Sequence, residues 1–375
     1  MTDDAVFGLD HRYTCYAVEV VTGTMITELP LTDVSAQVRL TSAGTFTASL
    51  PLAHYERRSD AQNMLDVTTP GKYSVVLDFD GQIVGEWIIW KRQRTIGSDV
   101  VQLSGSELVS LLDHRVMPGW TYAGVEQLAI ATQLAREGFI GATSGVGITA
   151  AVQFPAYVPS GQLRDRTYVQ LDGMIGTRLR ELSQVDGGFD YWLSTAWNPA
   201  SSILSLSRSF MLAYPRAGVD KDFTFELGGN LASAGLDEDA VILASRAFAI
   251  GATTNDVLLF GERDSTALTA QGYPLLDRTG SWTSVIDQAT IDGYAQSLLD
   301  ASRSAFQPVS VVVYGTRDPV FGQYVLGDCV QIASPPTNVF PSGVSREVRI
   351  VGWDLKPDVS TPPTITLVVT EEIGR

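Results

Sequence analysis

The sequence predicts a β-rich α+β fold: two antiparallel β domains with a small α+β module inserted between them. Three observations carry this. Apolar and polar residues alternate with period two near the beginning; helical spacing takes over between about residues 117 and 220; alternation returns from about Phe223. The division expected is a first β domain over 1–116, completed by about 221–235. An inserted helical and α+β module covers 117–220, and a second β domain with one helix covers 236–375.

Each element has a local reason. Tyr16, Val18 and Val20 alternate with polar neighbours, and so do Val34, Ala36, Val38 and Leu40. The Ser42-Ala43-Gly44 turn returns the chain through Phe46, Ala48 and Leu50, as a hairpin requires. A second hairpin joins Tyr73–Phe79 to Ile83–Arg94 through Asp80-Gly81, residue types that tolerate a positive φ. Val100–Ser104 follows, then a short helix over Ser106–Leu112.

In the middle, Val125, Leu128, Ala131 and Ala135 predict a helix over Val125–Glu137 that stops at Gly138. Residues 139–163 carry no charge and read as an irregular or hairpin excursion, either a buried loop or a partner interface. A longer helix is expected over Tyr168–Asp186. Thr167 and Gln170 have capping-box spacing, Leu171, Ile175, Leu179 and Leu182 form a stripe, and Gly187-Gly188 ends it. Strands at Phe189–Ser194 and Ile203–Arg208 follow.

The last third predicts strands at Phe223–Glu226, Val241–Ile250, Asp256–Phe260, Val309–Tyr314, Tyr324–Leu326, Cys329–Ile332, Val348–Val351 and Ile365–Val369, with a helix at Ile291–Arg303. Trp87–Gly105 and Val348–Thr370 share one plan, a strand, a polar turn and a second strand. That echo suggests two β domains of one general kind.

Charge narrows the function classes. The chain has 26 basic and 42 acidic residues, a net charge of −16, which repels phosphate backbones and argues against general nucleic-acid binding. The same field suits a surface past which DNA slides, or serves solubility alone. Cys15 and Cys329 are either two isolated thiols or one disulfide. Two cysteines and His11, His54 and His114 offer no zinc spacing. The acidic start lacks the basic and apolar regions of a signal peptide, and no stretch is apolar enough to span a bilayer. Synthesis in a cytoplasm is expected.

Chemical motifs are missing or misplaced. Gly145–Ala150 fits G-x-G-x-x-A but lacks the strand before it and the helix after it that dinucleotide binding needs. No phosphate-binding Gly-rich loop and no G-x-S-x-G elbow occurs. Asp237-Glu238-Asp239 and Glu371-Glu372 are the densest carboxylates and read as an acidic surface rather than a glycosidase pair. Asp328, after Gly327, reads as a turn residue. Lys91, Arg92 and Arg94 stand out against the acidic background, as a contact to an acidic neighbour, including another copy, or as one solvated strand face. No catalytic, cofactor-binding or metal-binding residue is assigned, and no cofactor is expected.

Several segments resemble a known family. Val34–Leu52, and Gln102–Leu108 running to Leu112-Asp113-His114-Arg115-Val116, look like siphophage minor tail proteins of actinobacteriophage type. Phe225–Leu231, Tyr273-Pro274-Leu275-Leu276-Asp277 and the Leu326-Gly327-Asp328 turn are similar to later landmarks of that family. The resemblance covers most of the chain and implies a tail-tip hub akin to contractile-phage baseplate hubs. It implies a non-enzymatic homotrimer at the virion's tail tip, in which each chain supplies two tube-like, barrel-forming β domains and three copies mimic a six-fold ring. Implied neighbours are the distal tail protein, a central tail fibre or tip protein, and the tape measure protein, with DNA passing through without specific binding. Alternatives are a receptor- or carbohydrate-binding tail protein, with Trp87, Trp90, Trp192 and Trp197 as candidate aromatics, and a peptidoglycan hydrolase.

Overall fold

In the computed structural model, residues 13–371 are described apart from 54, 56, 80, 142–150, 202, 255, 284, 304–305 and 358–363. Strands β1 (Tyr13–Glu19), β2 (Met25–Leu29), β3 (Thr32–Arg39) and β4 (Thr45–Pro51) open the chain, followed by helix α1 (Arg58–Asp66). Next come β5 (Tyr73–Phe79), β6 (Gln82–Arg94) and β7 (Val100–Glu107), ending in a 3-10 turn at Leu108–His114. The middle holds β8 (Trp120–Glu126), α2 (Gln127–Ile140), β9 (Val152–Gln153), β10 (Leu163–Tyr168), α3 (Ile175–Ser183), β11 (Asp190–Trp197) and β12 (Leu206–Ala213). The last part runs β13 (Asp220–Glu226), β14 (Leu231–Glu238), β15 (Arg246–Thr254), β16 (Val257–Asp264), α4 (Ala267–Ala270), β17 (Asp277–Ser281) and α5 (Gln288–Asp300). Strands β18 (Phe306–Tyr314), β19 (Cys329–Ser334), β20 (Val344–Leu355) and β21 (Thr364–Glu371) finish it.

Thirteen of these strands form one sheet. Its path is β14-β18-β21-β20-β3-β4-β7-β6-β5-β1-β2, with β19 on β20 and β13 on β19. The path is open at both ends, so among the described residues no ladder closes it into a barrel. Both expected hairpins form, β3–β4 and β5–β6, the second turning at Gly81 with φ +83. The echo between Trp87–Gly105 and Val348–Thr370 is two antiparallel hairpins, β6–β7 and β20–β21, each with one register shift, at Ile89/Lys91 and Ile350/Gly352.

One core runs under both halves of the sheet. Phe46, Leu77 and Trp87 from the first half join Val311, Val330, Trp353 and Leu367 from the second. A second core belongs to the insert, where Leu128, Leu134, Ile175, Leu179 and Phe210 close over Ile88 and Leu108. A third and smaller one gathers Ala249, Val285, Ile291 and Tyr294 under the three-stranded sheet β16-β15-β17.

The structure moves several expected boundaries. Helix α2 runs to Ile140 and ends at Gly141, left-handed with φ 65, instead of at Gly138. Gly138 lies inside the helix, where its missing side chain makes room for Leu112: a Cβ there would lie 2.2 Å from Leu112 Cδ2. The long helix expected at Tyr168–Asp186 shrinks to α3. Thr167 pairs with Thr121 across β10–β8 and Tyr168 is buried, so cross-strand pairing overrides the local capping spacing. Leu171, expected on the buried stripe, is exposed in a turn at φ 64. Tyr324–Leu326 is a turn instead of a strand. Gly327 holds φ +94 beneath it, and Asp328 accepts hydrogen bonds from Val325 N and Val219 N, each 2.9 Å.

Strands β13 and β14 pair with β19 and β18, so residues 220–238 complete the second half of the sheet and not the first. Between β14 and β18 the chain leaves the sheet to build β15, β16, β17 and α5, a second excursion that period-two alternation did not separate from the main sheet. Helix α1, with no buried residue, also escaped the sequence reading. Gly145–Ala150 lies outside the described residues; Ala151 and beyond run along the insert, with β9 parallel to β12.

Candidate assembly surfaces

The seam between the sheet halves is the ladder β3–β20, with Gly352 opposite Arg39, Trp353 opposite Val38 and Asp354 opposite Gln37. Side chains reinforce it. Arg39 Nη2 lies 2.6 Å from Asp354 Oδ1, and Arg39 Nη1 donates to Trp353 O at 3.1 Å. A Cβ at Gly352 would meet Val38 O at 2.7 Å, so the seam needs a glycine there.

Next to the seam sits Glu107 at the end of β7. It accepts Gly44 N at 2.6 Å and Arg39 N at 3.0 Å. Burial pushes its carboxyl up to about 8, outweighing the two N–H groups and Arg39, which favour the ionised form. Gly44 can be nothing larger, since a Cβ would fall 2.0 Å from Gln37 O.

Two ion pairs bolt the insert to the sheet, and a third ties it to the 3-10 turn after β7. Arg208 of β12 grips Glu86 of β6 through Nε at 2.9 Å and through Nη2, and also donates to Val20 O at 2.6 Å. Ser74 Oγ adds a bond to Glu86 at 2.7 Å, and both ionic side chains are fully buried. Asp190 of β11 pairs with Arg349 of β20 and accepts Ala217 N at 2.7 Å. Arg180 of α3 holds Asp113 with two bonds of 2.8 and 3.1 Å.

Lys91 and Arg94 are exposed on β6, opposite Ser104 and Val101. Arg92 is half-buried and donates to Leu65 O and to Thr68 Oγ1 at 3.2 Å, so it anchors the end of α1 inside the chain. Asp237 and Glu238 take part in β14 through their backbones, opposite Gln307 and Phe306, and their side chains lie outside the described residues. Asp239 is exposed and accepts Val241 N at 2.9 Å, capping a one-turn helix.

Trp87 is fully buried, Trp90 lies 4.2 Å from the His114 ring, and Trp197 donates to Asp78 at 2.6 Å. Trp192 instead lines a cleft of about 340 Å³ with Trp353, Glu86 and Glu107, so the four tryptophans share no platform. Cys15 and Cys329 are buried thiols not joined in a disulfide, with burial pushing Cys15 up to about 12. His11 and His54 lie outside the described residues.

Sequence reasoning missed one cluster and two surfaces. Asp220, Cys329 and Glu347 come from β13, β19 and β20 and place one possible metal-ligating atom each within 4.8 Å of the others. Their distance in sequence hides them. Val257, Leu258, Phe260 and Ile286 form an exposed apolar surface on the β16 side of the second excursion. Val339 and Leu227, both exposed, border an apolar groove of about 270 Å³ beside the free edge of β14. No helix among the described residues is long and apolar enough to cross a membrane.

No family model matches the sequence, and no curated protein matches it. Solved structures share its fold. The tail protein from Neisseria meningitidis MC58 superposes with a TM-score of 0.58 at 16% identity, over 96% of each chain. The 43 kDa tail protein of prophage MuSo2 from Shewanella oneidensis gives 0.56 at 12%, over 96% of this chain and 97% of that one. Prophage tail protein gp18 from Listeria monocytogenes EGD-e gives 0.52 at 13%, over 94% of both. The mostly antiparallel β fold of this chain, with its few helices, is similar to the fold of these tail proteins.

Proposed function

We propose that this chain is a non-enzymatic structural hub at the tail tip of a long-tailed phage, three copies forming a ring that continues the tail tube. The observation that carries this is the β3–β20 seam, which joins two hairpin-bearing halves into one sheet. Each copy then supplies two tube-like units with the 117–220 module bolted outside, and three copies supply six. The tail-protein fold supports a virion role. The net charge of −16 supports a lumen that lets DNA pass without gripping it. Lys91 and Arg94 are the proposed contacts to an acidic neighbouring copy, and Asp239 with Asp237 and Glu238 the proposed acidic surface. The distal tail protein, a central fibre or tip protein and the tape measure protein are the proposed partners.

Light-scattering mass of the purified chain is the first test. Three times the chain mass of 40.5 kDa supports the ring; a monomer at every concentration contradicts a self-assembling one.

A further inference from the structure

A cleft of about 340 Å³ opens where the insert meets both halves of the sheet. Val38 and Trp353 line it from the seam, Glu86 and Glu107 from β6 and β7, Trp192 from β11, and Leu326 from the turn before β19. Its volume falls in the range of small-molecule sites, roughly 300–1,000 Å³. The wall is mostly apolar, with two indole rings and two carboxyl groups in it.

The two acids differ in what balances them. Glu86 meets Arg208 through both its oxygens. Arg39, whose charge reaches Glu107, is paired with Asp354 at 2.6 Å. Among the described residues Glu107 forms no ion pair of its own; its bonds come from Gly44 N and Arg39 N, and both fall on Oε2. Glu107 is 8% exposed. Its Oε1 makes no hydrogen bond and is not sealed in the interior, so it opens onto the cleft.

A buried carboxyl without a counter-cation keeps a proton instead. Burial pushes Glu107 up to about 8, so at neutral pH the proton stands where a cation would. A positive group entering the cleft replaces that proton, supplies the missing charge and meets indole rings, whose faces attract cations. An anion would face Glu86 and Glu107 together. The net charge of −16 also draws cations toward the chain.

We propose that this cleft binds an organic ammonium group, with the Glu107 carboxylate as its counter-ion and Trp192 and Trp353 around its apolar body. Oε1 accepts an N–H of the ligand while Oε2 stays on the two backbone amides, and the proton of Glu107 leaves to solvent. The site is independent of the tail-tip reading.

The test is isothermal titration of the full chain with benzylammonium chloride, and with benzyl alcohol as its uncharged counterpart, from about pH 6 to 8. Saturable one-site binding of benzylammonium is expected, with affinity rising about tenfold per pH unit and a heat that depends on the buffer's own protonation. Glu107 sets that slope, since Glu86, Arg208, Arg39 and Asp354 are held in ion pairs. Glu107→Gln, which keeps an acceptor for both amides, weakens binding about tenfold and removes the slope. Trp192→Leu weakens it about fivefold. Circular dichroism confirms that both variants fold. Two sources carry this group, a free amine or a lysine of a neighbouring copy. Benzylammonium that lowers the light-scattering mass identifies the lysine; an unchanged mass identifies the free amine. No saturable binding to the native chain, benzyl alcohol bound as tightly as benzylammonium, or a Glu107→Gln chain with the native affinity and slope overturns the proposal.

Discussion

The two halves of the large sheet use the same hairpin in different surroundings. In the first half, β5 is buried at Ser74 through Phe79 without a break, and β6 buries Glu86, Trp87, Ile88 and Ile89 consecutively. In the second half, β21 buries Ile365, Leu367 and Val369 and leaves the residues between them partly open. The insert explains the difference. It lies on the outer face of the first hairpin, taking Ile88 into its own core and reaching Glu86 with Arg208. A sheet covered on both faces loses its alternation, and a sheet covered on one face keeps it. The second hairpin is thus the half that can still face another molecule.

The largest expected effect lies in the covered half. Arg208→Ala strands the Glu86 carboxylate in the interior, and urea unfolding should show a loss of about 3–5 kcal/mol. The double variant Glu86→Leu/Arg208→Met should recover most of it. A double variant as unstable as the single one would mean that the pair itself, and not the stranded charge, matters.

Next come the two close approaches. Gly105→Ala would set a Cβ 2.0 Å from Ile88 O in the first hairpin, whereas Gly352→Ala would set one 2.7 Å from Val38 O at the seam. Both should destabilise, by about 1–3 kcal/mol, with Gly105 the worse. The reverse order in thermal unfolding would show the seam to be the stiffer region.

Glu107, beside the seam in the first half, makes stability depend on pH. Its folded pKa, about 8, lies above the unfolded value, so the fold binds a proton that the unfolded chain releases. Its contribution is intact below the unfolded pKa and is lost as pH rises toward about 8. The loss is at most about 5 kcal/mol. Glu107→Gln should flatten that slope between about pH 5 and 8. A slope identical in the variant would assign the pH dependence elsewhere. The smallest effect belongs to the open face, where Thr370→Ala should change stability by less than about 0.5 kcal/mol.

These contrasts also show what the sequence could reveal. Alternation located β3, β4, β5, β20 and β21, because pleat geometry writes itself into neighbouring residues. It also found the echo between the hairpins. It placed β13 and β14 with the wrong half, since strand pairing depends on partners about a hundred residues away. Tyr168–Asp186 read as helix because Thr167, Gln170 and the Leu171 stripe satisfy a local rule that pairing with β8 overrules. The site residues were less legible. Lys91-Arg92-Arg94 was visible as a run, but the turning of Arg92 toward α1 was not. Glu86 and Arg208 stand 122 positions apart.

The central claim is that two like halves per chain, taken three times, continue a tail tube. Cryo-electron microscopy of virions carrying this chain, with symmetry tested at the tail tip, addresses it directly. The expected density is a three-fold ring continuous with the tube, with the β3–β20 seam within each subunit and the insert on the outside. Density on a peripheral fibre, or a particle lacking the chain, would contradict it.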